Sequence, residues 1–187
     1  MAVKKKAVKK KVGEWEEKWN DKGKGKVLGG VVKIEGKRIK IVLTYMREER
    51  QKNWEEIERV GVNGEGAVLI MGDFNARTGK KGGEWGEQGS LRESRDECIN
   101  AEGEEMLVRS GETGMQILNG GVNGDEEEKF TYVGPTGLTV IDYLVVNEER
   151  CNIVDEMEVM HRTDFDHAAL EIKLEGEVRR EGRKEEK

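Results

Sequence analysis

Residues 68–75 read Val-Leu-Ile-Met-Gly-Asp-Phe-Asn. Four apolar residues run into a glycine, an acid and an amide. The pattern predicts a buried strand over 67–71 that delivers Asp73 and Asn75 to the edge of a sheet. In sheets covered by helices, ligands collect at the carboxyl ends of strands. In an extended segment Asp73 and Asn75 share one side, with Phe74 turned back into the core. An acid and an amide projecting together can hold a hard cation, a water or a phosphate.

Working outward, the chain alternates. Strands are predicted over 31–34 and 39–45, around the turn 35–37. An amphipathic helix follows over 48–60, with Trp54, Ile57 and Val60 near one face. Residues 79–90 are glycine-rich and read as a loop. A second helix is predicted over 98–110, with Ile99, Met106 and Leu107 facing the core. Short strands follow over 115–118, ending at Asn119, and over 130–133, 139–146 and 157–160. Residues 168–174 alternate cleanly, with Leu170, Ile172 and Leu174 facing in. The content is α/β, with strands outnumbering helices.

The 187 residues suffice for one domain with a core, although 35% hydrophobic against 39% charged makes that core lean. The formal charge of −6 does not advertise a nucleic-acid binder and leaves room only for a local basic patch. Such a patch is present in Lys4, Lys5, Lys6, Lys9, Lys10 and Lys11. The run reads as an import signal, as a phosphate-binding arm or as a solvated tail. Residues 1–26 and 176–187 are accordingly expected to be charged tails flanking a domain over 27–175. Cys98 and Cys151 stand apart, without metal or disulfide spacing, as reduced thiols of an intracellular protein, nuclear or cytoplasmic. No apolar run approaches membrane-spanning length, and no signal core opens the chain, so no membrane partner is expected.

Asp142 lies inside Val140-Ile141-Asp142-Tyr143-Leu144. An acid in so apolar a strand is costly unless paired. It is either an edge residue facing water or a carboxylate that orients a histidine. There are two histidines. His161 reads as an ordinary surface residue. His167 follows Asp166 directly before the last strand, and both can reach one site only from a loop or bulge at the strand's start.

Taken in order, GDFN, then IDY in an apolar strand, then DH before an alternating strand, the chain resembles the endonuclease/exonuclease/phosphatase superfamily, including the endonucleases of non-LTR retrotransposons. The likeness covers residues 29–174: VLIMGDFNARTG from Val68, the helix and strand from Asn100 to Asn119, FTYVGPTGLTVIDYLVV from Phe130, and the segment from Asp164 to Leu170, where Phe165 replaces the usual serine. Tyr45 falls where the family often carries a tyrosine. The resemblance implies an α/β (α+β) sandwich of two packed mixed sheets flanked by helices, four layers in all, with the site at strand ends. It implies Mg²⁺-dependent phosphoester cleavage (Mn²⁺ as a substitute) on DNA or RNA. His167 would be general base or transition-state stabiliser, oriented by Asp142. Asp73 would activate water or protonate the leaving group, Asn75 would hold phosphate, and Tyr45 would contact phosphate. Asp166 would bind the metal, with Asp73 and Asn75 beside it. The family's early strands supply an Asn and a metal-binding Glu ahead of the region of Gly29. Here the residues ahead are lysine-rich, and Glu14, Glu16 and Glu17 have no predicted strand to carry them. The first sheet is therefore expected to be incomplete, and Mg²⁺ weakly held.

Overall fold

The computed structural model describes residues 14–20, 27–34, 36–59, 66–85, 90–135 and 137–175. In chain order the strands are β1 (Glu14–Asn20), β2 (Val27–Ile34), β3 (Lys37–Tyr45), β4 (Ala67–Asp73), β5 (Glu84–Trp85), β6 (Ser90–Leu91), β7 (Met115–Ile117), β8 (Tyr132–Gly134), β9 (Gly137–Thr139), β10 (Asp142–Asn147), β11 (Val154–Met160) and β12 (Ala169–Leu174). Helix α1 (Arg50–Ile57) follows β3, and α2 (Ala101–Glu112) precedes β7.

Six strands form one mixed sheet in the order β1-β2-β3-β4-β10-β7. Its centre is β4, parallel to β3 and antiparallel to β10. The apolar run of β4 is buried from both faces, Val68 and Ile70 on one side and Leu69 on the other. On the first face α1 and α2 cover the sheet through Trp54, Ile57 and Met106, which pack on Val68, Ile70, Phe74 and Val145. On the second face the β11–β12 hairpin covers Leu69, Leu144 and Val146 with Val154 and Met157. β12 adds Ile172 and Leu174, which are only partly buried, as is Leu170.

The mixed α+β architecture with two packed sheets agrees with the sequence reading. Both helices lie on one side, so the order is helices, six-stranded sheet, two-stranded sheet. Within the stretch read as an N-terminal tail, Glu14–Asn20 is a strand paired with β2. A strand thus carries Glu14, Glu16 and Glu17, yet its register sets Glu14 against Lys33 and Glu17 against Val31, while Asn20 lies against Leu28. By register these positions lie toward the end of the sheet away from Tyr45, three strands or ~14 Å from β4. The lysines of residues 4–11, the C-terminal stretch 176–187 and Val60 lie outside the described residues.

Other boundaries moved for local reasons. α2 starts at Ala101 rather than at 98 because the Asn100 side chain caps it, accepting from the Gly103 N–H at 2.8 Å. Ile99 then falls outside the helix and is exposed, against expectation. The glycine-rich stretch 79–90 contains β5, which pairs with β6.

Gly72 sets the close approach of β3 and β4 beside Asp73. Its φ is +141°, and a Cβ there would stand 2.0 Å from the Thr44 carbonyl oxygen. Gly72→Ala should therefore lower unfolding stability by about 3 kcal/mol, with the denaturant slope unchanged, in urea titrations followed by tryptophan fluorescence.

Candidate active site

Sheet register builds the site. In the β4–β10 ladder Asp142 stands directly opposite Asp73, and in the β3–β4 ladder Tyr45 stands beside Asp73. Residues opposite one another in a ladder project to the same face. That face is the one β12 covers, and His167 enters two residues before β12 begins. Tyr45, Asp73, Asp142 and His167 thus meet where β3 and β4 end and β10 starts.

The His167 Nδ1 lies 3.0 Å from Asp142 Oδ2 and 3.2 Å from Oδ1. Its Nε2 faces Asp73 Oδ2 at 3.9 Å. Asp142 is buried, so the water-facing reading of it is excluded. The hydrogen bond to Asp142 lifts the imidazole above its ordinary value, against the opposing effect of burial. Burial, and then the charge of Asp142, push the Asp73 carboxyl up to about 6, while the Asn75 N–H and the imidazole pull the other way.

Asn75 reaches the site by a route the sequence did not reveal. The strand stops at Asp73, and Asn75 takes the left-handed conformation at φ 48°. Its N–H donates to Asp73 Oδ1 at 2.8 Å. The alternation argument for a shared side therefore does not apply here; a turn closed by the Asp73 carboxylate replaces it. Asn75 Nδ2 is buried without a well-aligned acceptor, and the Asn75 side chain also lowers the Asp73 pKa, so the donor sits beside that carboxylate. The loop is pinned from behind, where Asn100 Oδ1 accepts from the Arg77 N–H at 2.8 Å and Gly103 packs against the Arg77 carbonyl.

Asp166 is exposed, with its carbonyl accepting from the Val133 N–H at 2.8 Å. Among the described residues, no three His, Cys, Asp or Glu side chains group closely enough to hold a metal ion. Of the expected ligand set, Asp73 and Asn75 stand together, joined by the Asn75 N–H, while Asp166 is exposed beside His167. His161 is exposed, as read.

Three neighbours escaped the sequence reading as individual residues. The Thr131 hydroxyl accepts from the N–H groups of both Ile141 and Asp142 at 3.0 Å, and its carbonyl accepts from Ala168 N–H at 2.7 Å, tying together the two segments that carry the pair. The Tyr132 ring packs on the His167 ring at 4.8 Å between centroids. The exposed Arg47 guanidinium reaches the Tyr45 hydroxyl and feels the Asp73 charge, both of which raise its pKa. Aromatic and polar residues before a strand carrying an acid were the available signal for the first two; nothing in the sequence marks Arg47.

No protein-family model matches the sequence, and no curated protein does. Solved structures do match in fold. The endonuclease domain of TRAS1, a telomere-specific non-LTR retrotransposon, superposes at TM-score 0.56 and 20% identity, over 78% of this chain and 59% of that one. The AP endonuclease LMAP from Leishmania major gives 0.56 and 16%, over 79% and 54%. The 3′ phosphatase NExo from Neisseria, bound to a product DNA hairpin, gives 0.52 and 13%, over 83% and 66%. The chain spans less than two thirds of the length of each of these structures.

The two titrations carry a stability signature. Asp73 has a folded pKa above its ordinary 3.8, so its burial penalty is absent in acid, grows as pH rises from about 3.8 and is complete once pH passes about 6. His167 has a raised folded pKa, so its pairing stabilises fully below its ordinary 6.5 and is lost as pH rises through the folded value. Asp73→Asn removes the first contribution. Its melting temperature should gain on the wild type as pH is raised from about 4 to about 8, with the wild type falling over that interval, in calorimetric scans. An unchanged difference across the interval would contradict the burial of Asp73. These strand ends, closed by the hairpin and backed by two helices, give the chain the fold of the endonuclease/exonuclease/phosphatase proteins.

Proposed function

We propose that the chain is a phosphodiesterase of the retrotransposon endonuclease type acting on DNA. The observation that carries this reading is the Asp142–His167–Asp73 arrangement at the strand ends of this fold. The solved structures of similar fold, a retrotransposon endonuclease, an AP endonuclease and a DNA-bound 3′ phosphatase, support it by analogy.

The chemistry follows from the geometry. Asp142 holds Nδ1–H, which leaves Nε2 turned towards Asp73 and the opening of the site. A cationic imidazole there offsets charge developing on a phosphoryl oxygen. Asp73, with a pKa of about 6, sits where it can take a proton from an attacking water or return one to a leaving oxygen near neutral pH. The buried Nδ2 of Asn75, beside the Asp73 carboxylate, supplies a donor to a phosphoryl oxygen, and Tyr45 with Arg47 supplies contacts to a flanking phosphate. A divalent ion is expected from the family resemblance, but the described donors do not assemble a site for one, so no step is routed through it.

The lysine run of residues 4–11 and the lack of an assembled metal-ligand group among the described residues motivate a second reading, a catalytically inactive remnant of a retroelement endonuclease, or a module that binds nucleic acid or protein without cleaving. Supercoiled plasmid separates the two. The phosphodiesterase reading expects nicking in Mg²⁺ buffer, falling by about a hundredfold or more in His167→Ala. Equal background in wild type and variant supports the remnant. For the lysine arm, removal of residues 1–12 should weaken DNA binding at low salt and flatten its salt dependence, measured by fluorescence anisotropy.

A further inference from the structure

Behind Asp142 lies a buried polar chain that the acid–base chemistry does not use. β7 pairs with β10 only as far as Ile117 opposite Val145, and the Leu118 N–H adds one bond to the Leu144 carbonyl at 2.8 Å. The backbone then turns away at Gly120, whose φ is +75° and whose Cβ position would lie 1.9 Å from the Glu93 carbonyl oxygen. Asn119, fully buried, continues the ladder with its side chain. Its Nδ2 donates to the Asp142 carbonyl at 3.1 Å, and its Oδ1 accepts from the Leu144 N–H at 2.9 Å. The amide thus supplies the donor and acceptor that a further strand residue would have supplied.

Asn119 is itself held. The buried Arg92 donates from Nε to the Asn119 carbonyl at 3.1 Å and from Nη1 to Thr78 Oγ1 at 3.0 Å. Its Nη2 pairs with the buried Glu128. A charge buried this deeply has no freedom to shift without losing its partners. The carbonyl of Asp142 is therefore fixed from one side by Asn119, as its N–H is fixed by Thr131 on the other.

We propose that Asn119 is a positioning residue for the Asp142–His167 pair, setting through the β10 backbone where the Asp142 carboxylate meets Nδ1. The proposal deepens the phosphodiesterase reading and rests on it for its catalytic part. Displacement of a carboxylate that meets Nδ1 with both oxygens loosens the imidazole's orientation, and small misplacements at a reacting centre are costly.

The test uses the full chain with Asn119→Ala, Asp142→Asn, the double variant and Asn119→Asp, the last keeping the acceptor for Leu144 while dropping the donor to Asp142. Two measurements are made. The first is the downfield proton resonance of the hydrogen-bonded imidazole Nδ1–H, assigned by its loss in His167→Gln. The second is steady-state cleavage of a fluorescent DNA duplex. Asn119→Ala and Asn119→Asp should lose or broaden the resonance and lower kcat by about tenfold or more, with KM changed less than about twofold. The double variant should cleave no more slowly than Asp142→Asn alone. A resonance retained in both Asn119 variants, or losses that multiply in the double variant, would overturn the proposal. Should Asn119→Ala fail to fold by circular dichroism, Asn119→Asp decides on the same outcomes. A wild type with the resonance but no cleavage counts against the phosphodiesterase reading alone, and the resonance arm still decides the placement of Asp142.

Discussion

Two carboxylates standing opposite each other in one β-ladder are the constraint on which this structure turns. Asp73 and Asp142 are paired residues of β4 and β10, and both are largely buried. Like charges so placed repel, and low polarity strengthens the repulsion. The fold answers by placing His167 between them, bonded to Asp142 and facing Asp73, and by letting the Asp73 pKa rise to about 6. A carboxyl raised to about 6, facing an imidazole that is bonded to a second carboxylate, suits the proposed acid–base role. The hairpin β11–β12, the Thr131 clamp and the Asn119 amide all serve to keep these three groups in register.

The parts of the fold legible in the sequence were those written in local pattern. The run Val68–Met71 had to be a strand buried from both faces, and the alternation through Leu170, Ile172 and Leu174 had to be one buried from a single face. The acid in Val140-Ile141-Asp142 announced a partner because its burial without one is costly. The family resemblance already points to His167 as that partner, with His161 read as a surface residue; the structure sets His167 Nδ1 3.0 Å from Asp142 Oδ2 and leaves His161 exposed.

What stayed hidden depended on long-range pairing or on single backbone angles. β1 has no apolar run to advertise it; its pairing with β2 makes it a strand. The left-handed φ of Asn75 cannot be told from an extended one by residue type alone, although asparagine tolerates both. Arg92 looks like one more surface cation in a chain with 33 lysines and arginines, yet it is buried with Glu128 behind the site. Asn119 reads as a strand terminator and is in fact a side-chain extension of the ladder. Asp166, an expected metal ligand, is exposed next to His167.

The central claim is that Asp73 and His167 work as one acid–base set, and the pH dependence of single-turnover DNA cleavage tests it most directly. The account predicts that the rate changes across a limb near pH 6, set by Asp73, and that Asp73→Asn abolishes this limb while His167 still governs the alkaline side. A limb that persists unmoved in Asp73→Asn would contradict it.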